Sequence, residues 1–178
     1  MYKEVLLNLL KEHALKTGDF TLKSGRKSNY LIDCKKVVLS AKGHVLVGEV
    51  MYSMLPAIAT AVAGVELGGC PLASAVSYCS ASRSQPVQAI YVRKQQKDHG
   101  SKSLIEGAGN LDSMPVVVLE DVTTTAGSAM FAVQQLWKYG ANVLGVLTLV
   151  DRQEGAREAL EKEGVKLWSV FTKKDFGV

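Results

Sequence analysis

Cysteine is scarce in this sequence, and the three that occur, Cys34, Cys70 and Cys79, are odd in number and lack metal-site spacing. They read as reduced core thiols and are assigned no chemistry. Long apolar runs are missing as well. The longest uncharged stretch near the middle, Val50 to Val65, is interrupted by Pro56 and falls short of the roughly 20 residues a membrane-spanning helix needs. The opening residues set Lys3, Glu4, Lys11 and Glu12 among leucines, which leaves no apolar segment of secretory type. A cytoplasmic protein with no membrane partner is expected. There is no low-complexity segment to argue for disorder, no internal repeat and no linker. A strong charge excess is also absent, since 21 basic residues face 17 acidic ones for a net charge of +4. Much of the positive charge gathers at Arg93, Lys94, Lys97 and Lys102, with Asp98 as the acid among them. That grouping suits a local anion site and not a nucleic-acid stripe.

What is present fits one globular unit. At 178 residues the chain fills one core and is too short for two ordinary domains, and 47% apolar with 21% charged residues is a soluble balance. Residues 3–15 carry Val5, Leu6, Leu9, Leu10 and His13 at helical spacing. Phe20, Leu22, Tyr30 and Ile32 flank a Ser-Gly turn, the pattern of a short hairpin. A second helical pattern runs from Lys42 to Leu55 and stops at Pro56. Five short apolar runs follow, "IATAVAGV", "VQAIYV", "VVVL", "VLGVLTLV" and "VKLWSVF", as expected of strands buried on both faces of a parallel sheet. Helical segments near 71–81, 127–139 and 155–163 separate them. The alternation predicts an α/β fold with ligand loops at the carboxyl ends of the strands.

The stretch "VVVLEDVTTTAGSA" carries the strongest chemical signal. If the strand ends at Leu119, Glu120 and Asp121 emerge into the crevice, where two adjacent carboxylates need donors such as sugar hydroxyls or a hydrated metal. Thr123, Thr124, Thr125, Ala126, Gly127 and Ser128 then form a short hydroxyl-rich loop that opens a helix, and the free N–H groups and dipole of that helix suit a phosphate.

This stretch resembles the phosphoribosyl pyrophosphate signature of the type I phosphoribosyltransferases. The resemblance gives Glu120 and Asp121 the ribose hydroxyls and residues 123–128 the 5-phosphate. It implies the fold of that family, a central mainly parallel sheet flanked by helices over residues 41–178, with a small N-terminal hood over residues 1–40, in a single domain. Ala126 stands where most members have glycine. A left-handed backbone there costs alanine roughly 1–2 kcal/mol, so either the loop is right-handed at that residue or its phosphate grip is altered.

Three further segments resemble the orotate phosphoribosyltransferases. "YVRKQQKDHGSKSLIEG" is similar to their catalytic loop, which matches Arg93, Lys94, Lys97 and His99 to diphosphate contacts and implies a homodimer in which residues 94–104 serve the neighbouring subunit's site. "FTLKSGRKSNYLID" resembles their orotate segment, with Lys23 near the reacting centre and Phe20 and Tyr30 beside it. "LVDRQEGARE" supplies Arg152 as the orotate contact, joined by Thr124 of the loop. An arginine fork suits the carboxylate of orotate, which purines lack. "GVELGGCPLASAVS" resembles the turn beneath the diphosphate, with Gly68 and Gly69 as backbone contacts; some members have lysine at the position of Gly68. The implied reaction joins orotate to phosphoribosyl pyrophosphate with Mg²⁺ held by substrate and water and no direct protein ligand. Lys97, His99, Lys23 and Asp121 are the expected catalytic residues.

Overall fold

The computed structural model describes residues 1–21, 25, 27–95 and 103–178. The chain opens with α1 (Tyr2–His13), then β1 (Leu15–Thr21) and β2 (Lys27–Ile32) pair antiparallel into a two-stranded sheet. A one-turn α2 (Lys35–Val38) and α3 (Ala41–Tyr52) lead to β3 (Ala61–Val65) and α4 (Gly69–Ser80). After β4 (Gln88–Val92) and the short β5 (Ile105–Glu106) come β6 (Pro115–Thr123), α5 (Gly127–Lys138) and β7 (Asn142–Asp151). The chain closes with α6 (Ala156–Lys162), β8 (Leu167–Thr172) and a 3₁₀ turn over Lys173–Phe176.

Six strands form the main sheet in the order β5-β4-β3-β6-β7-β8. All neighbours are parallel except β4 and β5. The order reverses at β3 and β6, the place where an open α/β sheet leaves a crevice at its carboxyl edge. Strand period 2 divides the core. Val117 and Leu119 of β6 join Leu147 of β7 on one face, with Leu6, Leu10, Val47 and Leu72 from α1, α3 and α4. Val116 and Val118 take the other face, against Ala132, Val133 and Leu136 of α5 and Leu160 of α6. Leu147 has no exposed surface. Its replacement by alanine should cost about 2–5 kcal/mol in urea unfolding, through lost burial and the cavity left behind.

The expected elements appear with shifted ends. The first helix stops at His13, which points to solvent; Leu6 and Leu10 make its buried stripe. β3 begins at Ala61 because Ile58 is exposed in the preceding turn, and β7 extends over Asn142–Asp151. Pro71 lies in the first turn of α4, where its missing N–H costs nothing. The three cysteines are free. Burial pushes the Cys70 thiol up to about 11, and burial likewise raises Cys34 and Cys79, so all three stay protonated near neutral pH. No helix among the described residues is long and apolar enough to cross a membrane.

Candidate active site

β6 runs four residues further than its apolar composition predicts. Glu120 pairs with Thr148 and Thr123 with Asp151 in the ladder to β7, so the two acids belong to the last third of the strand and not to the loop after it. The pleat sends adjacent side chains to opposite faces. Asp121 therefore continues the face of Val117 and Leu119, toward the two-stranded sheet, and Glu120 is buried on the other side. Asp121 Oδ1 accepts the Val122 N–H at 3.0 Å. Its carboxyl group lies directly on Gly68, and a Cβ built at residue 68 would fall inside that carboxyl.

Gly68 and Gly69 sit at the start of α4, after the cis peptide that joins Glu66 to Leu67. A Cβ on Gly69 would likewise collide with the Leu119 carbonyl, so the turn is held against β6 by backbone alone. Glu66 reaches the base of the basic segment, where its Oε2 accepts the Lys94 N–H at 2.9 Å. Arg93 donates its N–H to the Leu104 carbonyl at 2.8 Å, and its guanidinium lies 3.6 Å from Glu106. Arg93 and Lys94 thus leave the sheet at the end of β4, one strand beyond β3. Lys23, Lys97 and His99 lie outside the described residues.

The threonine loop leads into α5 as the sequence predicts, but the backbone at Ala126 is left-handed, with φ 64° and ψ 8°. Of the two expectations for this residue, the right-handed loop is excluded. The Met130 N–H bonds the Ala126 carbonyl at 2.8 Å and the methyl is buried, which offsets the roughly 1–2 kcal/mol of strain. The N–H groups of the first turn of α5, over Gly127, Ser128 and Ala129, have no carbonyl within the helix to bond, and that turn contains no acidic side chain. Thr124 and Thr125 border the opening, and Thr123 is buried with no partner for its hydroxyl among the described residues. Such a hydroxyl suits a polar ligand or water.

A cleft of about 740 Å³ lies between the two-stranded sheet and the end of β7, lined by Phe20, Ser28, Tyr30 and Arg152 among others. Arg152 is 3% exposed, and the Tyr30 ring stacks on its guanidinium at 4.5 Å. Nε donates to the Tyr30 hydroxyl and Nη2 to Ser28 Oγ, each at 3.2 Å, while Glu154 lies 3.0 Å from Nη2. Its backbone N–H bonds the Thr123 carbonyl at 3.0 Å, tying the cleft to the end of β6. Phe20, Tyr30 and Arg152, 122 residues apart at the extremes for the Tyr30 to Arg152 bond, are brought together as predicted.

Ser28, Glu154, Asp33 and Lys35 were not singled out by the sequence. Asp33 follows β2, and its Oδ1 lies 2.7 Å from Lys35 Nζ. That hydrogen bond holds the Asp33 carboxyl below its usual value and raises Lys35 above its own. A depressed carboxyl contributes stability above the ordinary aspartate value of about 4 and loses it as pH falls through the lower folded value. The difference in stability between the unmutated protein and Asp33→Asn should therefore be constant from about pH 5 to 7 and shrink below about pH 4, as read by denaturant unfolding at each pH.

No family model matches the chain. An orotate phosphoribosyltransferase of Sorangium cellulosum is 51% identical over 177 residues, covering 98% of this chain and 92% of that protein. The crystal structure of Mycobacterium tuberculosis orotate phosphoribosyltransferase in complex with Fe(III) dicitrate superposes with a TM-score of 0.85 at 34% identity, with both chains covered completely. The same enzyme in complex with 5-phospho-α-D-ribosyl 1-diphosphate gives a TM-score of 0.81 at 32% identity, again over the whole of both chains.

Proposed function

This chain belongs to the orotate phosphoribosyltransferase family, and we propose how its own residues carry the reaction of that family. The enzyme transfers the 5-phosphoribosyl group of phosphoribosyl pyrophosphate to orotate, giving orotidine 5-monophosphate and pyrophosphate in pyrimidine nucleotide synthesis. The carbon to oxygen bond at the anomeric centre breaks, positive charge grows on the ribose and negative charge on the departing diphosphate. Stabilising both at fixed positions is the protein's task.

The observation that carries the assignment to the residues is the meeting of two subsites at the end of β6: an acid and a helix start for the sugar phosphate, and a buried arginine for the base. Asp121, with Glu120, takes the ribose hydroxyls, while Thr123, Thr124, Thr125, Ala126, Gly127 and Ser128 hold the 5-phosphate through N–H and hydroxyl groups. Gly68 and Gly69 present backbone to the diphosphate, and Arg93, Lys94, Lys97 and His99 neutralise it. Arg152 takes the orotate carboxylate, Tyr30 and Phe20 wall the ring, Thr124 borders it, and Lys23 approaches the reacting centre. The cleft beside Arg152 gives that ring a place to enter.

Magnesium fits the oxygen-only character of the Glu120 and Asp121 side chains, and its contribution when bound with the diphosphate is charge neutralisation. The two-stranded sheet is the hood of a single domain. The working form is a cytoplasmic homodimer in which residues 94–104 close over the partner's site and exclude water. With carbon-14 orotate and adenine offered together with phosphoribosyl pyrophosphate, label should enter orotidine monophosphate alone. Adenosine monophosphate as the main product would refute the assignment of Arg152 to the base.

A further inference from the structure

We propose that Lys35 is a substrate-binding residue of this site, its ammonium group contacting the diphosphate of phosphoribosyl pyrophosphate on the Gly68 side of Asp121. The inference rests on the activity described above. It begins with an electrostatic shortage. Asp121, Glu120 and Glu66 bring three carboxylates to the carboxyl edge of β3 and β6, where a highly anionic ligand must sit. At the turn beneath that ligand, Gly68 has no room for any side chain because the Asp121 carboxyl occupies the position of a Cβ. A cation on this side must therefore come from another element.

The segment after β2 supplies it. The Asp33 N–H bonds the Ala14 carbonyl at 2.9 Å, and Cys34 is fully buried in the same cluster as Leu119, two residues before Asp121. Those two anchors fix where Asp33 and Lys35 start. Lys35 Nζ lies 2.7 Å from Asp33 Oδ1 and the Lys35 N–H bonds the same oxygen at 3.3 Å, so the head group is folded back beside β2 instead of trailing into solvent. Its side chain is 44% exposed, which leaves it open to a ligand. The charge of Asp121 acts on both the Lys35 ammonium, which it raises, and the Cys34 thiol, so this segment and Asp121 border one pocket. Asp33 serves as the resting counter-ion, and an incoming diphosphate offers a stronger one.

The test is titration of magnesium pyrophosphate into the unmutated protein, Lys35→Met, Lys35→Arg and Asp33→Asn, with thermal melts alongside. Lys35→Met should weaken pyrophosphate about tenfold, as loss of a charge-assisted contact does, and leave orotate binding within about twofold. Lys35→Arg should retain most of the affinity. Asp33→Asn should bind pyrophosphate as well as or better than the unmutated protein, since it removes a competing carboxylate. A pair with a purely structural role would lose affinity equally through either partner; that result, or unchanged affinity in Lys35→Met, overturns the proposal. If the unmutated protein bound pyrophosphate through Lys35 yet made no orotidine monophosphate, the assigned activity would fall and the role of Lys35 would stand.

Discussion

Arg152→Gln lowers kcat/KM for orotate by about 10²- to 10³-fold and changes the KM for phosphoribosyl pyrophosphate little, because the lost contact is a charge-assisted fork to a carboxylate that the sugar phosphate does not carry. The arginine is fixed for that task before any ligand arrives. Tyr30 stacks on it, Ser28 and Tyr30 accept two of its N–H groups, and Glu154 balances its charge. Glutamine keeps hydrogen-bonding capacity but leaves Glu154 facing a neutral group in a nearly buried position, so a loss of stability accompanies the loss of activity. Steady-state kinetics at saturating phosphoribosyl pyrophosphate, read beside a melting curve, separates the two effects. A kcat/KM that falls no further than the folded fraction would remove Arg152 from the base subsite.

Gly68→Ala is expected to be as damaging although it adds one methyl group. The new Cβ would overlap the Asp121 carboxyl, and Asp121 cannot retreat without breaking the end of β6, whose next residues are paired with β7. Displacing a substrate-positioning group by about 1 Å costs on the order of 10²-fold in rate. The loss should appear in kcat/KM for phosphoribosyl pyrophosphate, with orotate binding preserved, because Arg152 and Tyr30 are on the far side of β6 from Gly68 in the strand order. Asp121→Ala in the same background offers a check. With the carboxyl already gone, adding the alanine at residue 68 should cost far less than it does alone, and additive losses in the double variant would contradict the contact as the cause.

The alternation of apolar runs with helical segments made the parallel sheet legible, because strands buried on both faces leave an unbroken apolar record. Where β6 would end was not legible by that signal. Glu120 and Asp121 break the apolar run, yet the ladder to β7 continues through Thr123 since backbone pairing does not depend on side-chain polarity. α2 and β5 escaped for a related reason, being too short at four and two residues to show a period. At the site, Arg152 and the threonine loop were readable from local motifs. Asp33 and Lys35 were not, since they look like the charged flank of a hairpin until the fold brings them under β6. The left-handed Ala126 was posed by the sequence as one of two outcomes, and the geometry of the α5 start decided it.

The central claim is that one crevice at the end of β6 binds orotate and phosphoribosyl pyrophosphate side by side and joins them. Its most direct test is the ultraviolet absorbance of orotate in the presence of the unmutated protein, magnesium and phosphoribosyl pyrophosphate, with each component omitted in turn. The account predicts a fall in absorbance that needs all components and is reversed by adding pyrophosphate. A flat trace from folded protein at saturating substrates would contradict it.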